Sequence, residues 1–277
     1  MSNFHNKLAT YIKEVSLKVL DLDKSIKFYK EVLGFSLLYR DEEEVKLGFT
    51  NPLLTLKKAK TANEIKTSGL YHIAYLVPNR VDLANWLYYH LQHKTVLDGA
   101  SNHGVSEAIY LHDNEGNGIE IYTDTKTETW SWKNGHVEMV TIALDLDDLF
   151  ETVTNPTNKL PDNTIIGHIH LSVIDLDKSK SFYNLLGFNT TQEMRSAAFL
   201  SSQKYHHHIG MNIWHMDNAA KLMEEQAGLD YFVIQYPTIN EMSKVLSVLD
   251  KNKYDYHKEN DFVSLTDVNG INIHLKH

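Results

Sequence analysis

Apolar and polar residues alternate with a period of two through "YIKEVSLKV" (residues 11–19), the pattern of a half-buried strand. The period then lengthens. In "DLDKSIKFYKEVLGF" (21–35), Ile26, Tyr29 and Leu33 recur at spacings of three and four, which gives a helix with one apolar face. Asp23 is placed to cap its start and Gly34 to end it in a left-handed turn. The same succession returns as "IIGHIHLSV" (165–173) followed by "DLDKSKSFYNLLGF" (175–188), with Asp177 and Gly187 in the corresponding places. Two weaker copies lie between. "GLYHIAYLVPN" (69–79) reads as a strand, followed by a helix with Leu83, Trp86, Leu87 and Leu91 on one face. "GLDYFVIQYPT" (228–238) precedes a helix with Met242, Val245, Leu246 and Leu249 on one face, and Thr238 and Glu241 have capping-box spacing. "GVSEAIYLHDNEGNGIEIYTD" (104–124) and "DFVSLTDVNGINIHLKH" (261–277) read as hairpins turning around Gly116 and Gly270.

The chain is therefore one unit written four times: a strand, a helix, then three strands. The modules cover 8–60, 68–124, 165–217 and 226–277. A linker, 125–164, joins the second to the third; its apolar run "HVEMVTIAL" and the loop "TNPTNKLPDNT" predict partial structure. The fold class expected is α+β, with four βαβββ modules paired into two open, cup-shaped sheets and the helices outside.

Composition narrows the chemistry. The 277 residues include no cysteine, which excludes thiolate nucleophiles, disulfides and Cys-ligated metal. Metal ligands must come from His, Asp, Glu or Tyr. A net charge of −9 argues against a nucleic-acid backbone as partner, but not against a small anionic substrate. No apolar run approaches the roughly 20 residues of a membrane span, and "MSNFHNKLATYIKE" lacks the apolar core of a signal peptide, so the reading is a cytoplasmic protein without a membrane partner.

The repeated "D-L-x-x-S-x-x-F-Y-x-x-x-L-G-F" resembles the vicinal oxygen chelate superfamily of glyoxalases, bleomycin resistance proteins and extradiol dioxygenases. "HGVSEAIYLHDNEGNGIEIY", "IIGHIHLSV" and "YHHHIGMNIW" resemble more narrowly its catechol 2,3-dioxygenase type, over nearly the whole chain. In that fold, metal ligands point into the cup from the first and last strands of a module. Glu14, His72, His168 and Tyr231 fall at matching first-strand positions, and Glu120 matches His274 on last strands. The resemblance implies His72, His168 and Glu120 as ligands, although a lone histidine on a strand is more often structural. Two imidazoles and a carboxylate suit ferrous iron, with manganese as an alternative. His170, two residues from His168, is the rival ligand. These assignments make modules two and three the metal-bearing half and modules one and four the structural half.

Ring cleavage of a catechol with dioxygen to a hydroxymuconic semialdehyde, as in aromatic hydrocarbon catabolism, also needs proton carriers. The resemblance implies His208 from the triplet His206–His208, Tyr110 ten residues before Glu120, and His103 in a loop two residues shorter than usual. Read as a strand, the triplet puts His206 and His208 on one face and His207 on the other. Which of His170 and His206 touches substrate stays open, as does homo-oligomerisation. Two other classes remain: a glyoxalase-type isomerase or lyase using Glu14, His72 and Glu120, and a binding protein without catalysis.

Overall fold

The computed structural model describes residues 4–277. The first module runs β1 (Tyr11–Val19), α1 (Leu22–Val32), β2 (Ser36–Arg40), β3 (Glu44–Gly48) and β4 (Pro52–Lys58). The second runs β5 (Gly69–Leu76), α2 (Arg80–Gln92), β6 (Gly99–Asn102), β7 (Ser106–His112) and β8 (Gly118–Asp124). β9 (Ile165–Ser172), α3 (Leu176–Leu185), β10 (Asn189–Met194), β11 (Ala197–Ser201) and β12 (Ile209–Asn212) follow. The last module is β13 (Gly228–Gln235), α4 (Ile239–Lys251), β14 (His257–Lys258), β15 (Val263–Thr266) and β16 (Asn272–Lys276).

These strands form two sheets. One has the order β14-β15-β16-β13-β1-β4-β3-β2. The other has the order β6-β7-β8-β5-β9-β12-β11-β10, with the short strand Ile142–Ala143 from the linker added beside β6. Each sheet is continuous through an antiparallel seam, β1 with β13 and β5 with β9. The sheets meet where β1 packs on β9, and one apolar core, including Leu17, Ile73, Ile169 and Phe232, extends across both. This is the α+β architecture of curled open sheets expected from the repeat.

The helix starts differ from the sequence expectation. Asp21 and Asp175, not Asp23 and Asp177, accept the orphan amides of Lys24 and Lys178. Each helix begins one residue after that aspartate, so Asp23 and Asp177 lie in the first turn, where a carboxylate favours the positive end of the helix dipole. Leu91 is 43% exposed at the end of α2, because the apolar face has rotated off the sheet by the last turn. Thr238 caps α4 through the Glu241 amide, as its spacing predicts.

The repeated Ser and Tyr of the helix motif have a structural task. Tyr29 of α1 donates to Asp113 in the β7–β8 turn at 2.9 Å, and Tyr183 of α3 donates to Asp267 in the β15–β16 turn at 3.1 Å. Asn114 reaches Ser25, and Asn269 reaches Ser179, in the same two places. Each helix is thereby latched to the hairpin of the next module. That hairpin belongs to the opposite sheet in both cases, and its buried aspartate is fully hydrogen-bonded.

Candidate metal centre

Strand register decides which side chains meet. In the row β8-β5-β9, Ala74 lies opposite Glu120 on one side and His168 on the other. Its methyl group leaves space between them. His72 follows two residues before Ala74 on the same face. All three side chains are buried. His72 Nε2 and His168 Nε2 approach Glu120 Oε2 to 2.9 and 3.3 Å, and each other to 3.3 Å. A bulge at Gly167 sets the register that turns His168 inward; a Cβ there would overlap the Tyr122 hydroxyl at 1.8 Å.

Those separations fit a metal. Ligand atoms about 2.1 Å from an octahedral ion stand about 3 Å apart on one face. Without an ion, two imidazole nitrogens and a carboxylate oxygen crowd one point with too few protons to satisfy them. Burial alone would raise the Glu120 pKa, but the flanking imidazoles outweigh it and hold the carboxyl well below its ordinary range. Burial also pushes His168 down to about 4, against the attraction of Glu120. An ionised carboxylate and neutral imidazoles are the states a divalent cation needs.

His170, Tyr110 and His103 line the same cavity, which has a volume of about 350 Å³. His170 stands opposite His72 but outside the three-atom cluster. The Trp214 amide donates to Asn212 Oδ1, which fixes the Asn212 amide so that its Nδ2 donates to His170 Nε2 at 3.0 Å. His170 therefore carries its proton on Nδ1, over Gly210. A Cβ on Gly210 would lie 2.8 Å from that nitrogen, so glycine is required for β12 to pass. Tyr110, paired with Glu120 across the ladder, lies 2.7 Å from His103 Nε2. His103 Nδ1 donates to the Val140 carbonyl, so Nε2 accepts the Tyr110 proton. Burial and the Glu120 charge raise the Tyr110 pKa and keep it protonated.

His208 is not brought to the cavity. The triplet lies in a bend before β12 rather than in the strand, so strand alternation does not govern it. His207 lines the cavity, its ring 4.1 Å from that of His168. His208 packs behind, between Ser201 Oγ and the Phe4 carbonyl. His206 contacts Asp124 through Nε2 at 2.9 Å and His207 through Nδ1 at 2.7 Å. His206 thus donates to Asp124 and accepts from His207, which leaves the lone pair of His207 on Nε2. Burial, then the neighbouring histidines, hold the His207 pKa well below its usual value.

Other lining groups were not legible in the sequence. Met139, Val140 and Thr141 come from the linker and close one wall; Asp98 and His112 stand on another. Only the apolar run "HVEMVTIAL" hinted at the first group. Trp214 lines the cavity, whereas Met211 belongs to the core. Glu14 does not join His72 and Glu120: it lies on β1 in the other sheet and accepts from Thr55 at 2.6 Å, so the glyoxalase-type set is not assembled. Tyr231 and His274 stack on each other with centroids 3.9 Å apart.

Behind the triplet, burial pushes His5 down to about 4, and burial together with His5 lowers His208 well below the usual value. An unfolded histidine titrates near 6.5, so this contribution to stability is full above that pH and is lost as pH falls towards 4. His5 alone should cost the metal-free protein about 2 kcal/mol between pH 7 and pH 5. Urea midpoints at the two pH values check it; a His5→Leu chain should show the shallower dependence, and parallel curves would contradict it.

Paired βαβββ modules around a buried His–His–Glu cluster that could hold a metal ion define a member of the vicinal oxygen chelate class. The family model of the Glyoxalase/Bleomycin resistance protein/Dioxygenase superfamily matches residues 11–121, and the chain belongs to this superfamily. It is 36% identical over 284 aligned positions to the catechol-2,3-dioxygenase of Bacillus subtilis (strain 168), covering 99% of both chains. A region covering 47% of this chain is 27% identical to the metallothiol transferase FosB of Staphylococcus epidermidis, over 94% of that protein. The crystal structure of glyoxalase I from Zea mays shares the fold, with a TM-score of 0.58, 16% identity, and 97% of this chain and 92% of that one covered. Among the described residues no helix is long and apolar enough to cross a membrane.

Proposed function

We propose that the chain is an extradiol ring-cleaving dioxygenase that converts catechol or a substituted catechol, with both atoms of dioxygen, to a hydroxymuconic semialdehyde. The observation that carries this reading is the three-atom cluster of His72, His168 and Glu120 opening onto a cavity walled by histidines and a protonated tyrosine. The full-length likeness to a catechol-2,3-dioxygenase supports it. The donor set suits ferrous iron, and manganese fits the same ligands. His72, His168 and Glu120 would hold such an ion, which would supply Lewis-acid and one-electron chemistry to the site.

The chain's own groups supply proton handling and a dry enclosure. Tyr110 donates to His103, so its oxygen is free to accept a proton from a catechol hydroxyl while its own proton passes to His103 Nε2. His207 Nε2, unprotonated in this network, is the second acceptor, backed by His206 and Asp124. Phe199 and Trp214 give the cavity faces against which an aromatic ring can stack.

The direct test is anaerobic loading with ferrous ion, then catechol and air. A yellow ring-opened product is expected. Colourless mixtures with several catechols at full iron occupancy would reject the proposal.

A further inference from the structure

We infer that the cavity is a charge filter with Asp98 as its specificity-determining residue: it admits catechols with neutral or cationic ring substituents and turns away those with a carboxylate arm. The inference rests on the ring-cleavage reading and names the substrate class of that site.

Among the described residues, no lysine or arginine lines the cavity. A buried or half-enclosed carboxylate without a cation partner binds poorly, because lost hydration is not replaced. The wall that a ring substituent would meet carries a carboxylate instead, Asp98, hydrogen-bonded to the imidazole of His112. His112 lies two residues beyond Tyr110 along β7, on the same face and opposite Gly118. It hydrogen-bonds through Nδ1 to Asp98, which directly precedes β6. Both side chains line the cavity and remain partly exposed, Asp98 by 41% and His112 by 54%, which places them at its mouth. The Asp98 amide is held by the Tyr110 carbonyl, tying this carboxylate to the strand that carries the active-site tyrosine. Met194, Val140 and Trp214 add partly exposed apolar surface to the lining, and Tyr71, Ser101, Thr141 and Gln192 add polar groups without a fixed charge. Arg195 follows Met194 but sits in the exposed β10–β11 turn and is not among the lining side chains.

A unit charge about 8 Å from Asp98 at such a partly wet mouth changes binding on the order of tenfold, favouring a cation and disfavouring an anion. The preference should weaken with added salt.

Three probes separate the effects: 4-ethylcatechol, 4-(2-aminoethyl)catechol and 3,4-dihydroxyphenylacetate, with arms of similar length. Dissociation constants are measured on the ferrous-loaded protein under argon, and kcat/KM afterwards in air, for the natural chain and Asp98→Asn. The anionic probe is expected to bind about tenfold or more weakly than 4-ethylcatechol. Asp98→Asn should shrink the cation-to-anion ratio about a hundredfold in both measurements, about tenfold from each probe. Equal or tighter binding of the anion overturns the filter and gives the rim role to Arg195. An unchanged ratio in Asp98→Asn overturns the assignment to that residue. Failure of all three probes to bind or turn over overturns the ring-cleavage reading itself, and the filter with it.

Discussion

Changing His168 to alanine should remove the metal and, with it, at least three orders of magnitude of kcat/KM. In the proposed site the side chain supplies one of the three donors that cluster among the described residues, and its Nε2 stands 3.3 Å from both other donor atoms. With it gone, Glu120 and His72 offer two ligands, too few to hold a labile divalent ion against dilution. The sheet should survive, because β9 is fixed by ladders to β5 and β12 on both sides. Metal content of freshly purified protein, read beside circular dichroism, checks the prediction. Retention of stoichiometric metal would show that the ion sits elsewhere.

The second large effect separates two adjacent histidines. Replacing His207 by alanine should lower kcat by about 10²–10⁴-fold with metal retained, as expected for loss of a positioned proton carrier. Replacing His208 by asparagine should leave kcat near its starting value and lower the unfolding midpoint, since His208 bonds Ser201 and the Phe4 carbonyl away from the cavity. Parallel kcat, KM, metal and melting measurements on both variants decide it. A kcat collapse for His208 with His207 dispensable would restore the strand reading of the triplet.

The fold was legible because the chain repeats itself. A motif that caps, buries and ends a helix the same way twice identifies the unit, and the α+β class and the superfamily follow. His72, His168 and Glu120 could be named because the resemblance expects ligands on the first and last strands of a module, where the repeat places the two histidines at matching first-strand positions and Glu120 on a last strand. The structure brings those three side chains together, along with Tyr110 and His103. What misled was a local pattern taken out of context. "YHHHIG" looks like a strand, but the chain bends there, and a bend has no period of two. The caps slipped by two residues because both Asp21 and Asp23 suit a helix start. Asp98, His112 and the wall from Met139 to Thr141 were invisible for another reason. Their place depends on how the β6–β7 edge and the linker fold over the cavity, and no spacing along the chain encodes that.

The two seams also govern the order in which the molecule can assemble. β1 pairs with β13, more than two hundred residues later, while the latch from Tyr29 already grips the turn at Asp113. The sheet that carries His72, His168 and Glu120 is complete once residue 212 has formed, before any of the final module's strands. During synthesis the first module must wait with the β1 edge unpaired, exposed to aggregation until the last fifty residues arrive. Long-range pairing of this kind slows folding. The sheet that carries His72, His168 and Glu120 can therefore form first, and the sheet that contains β1 closes last.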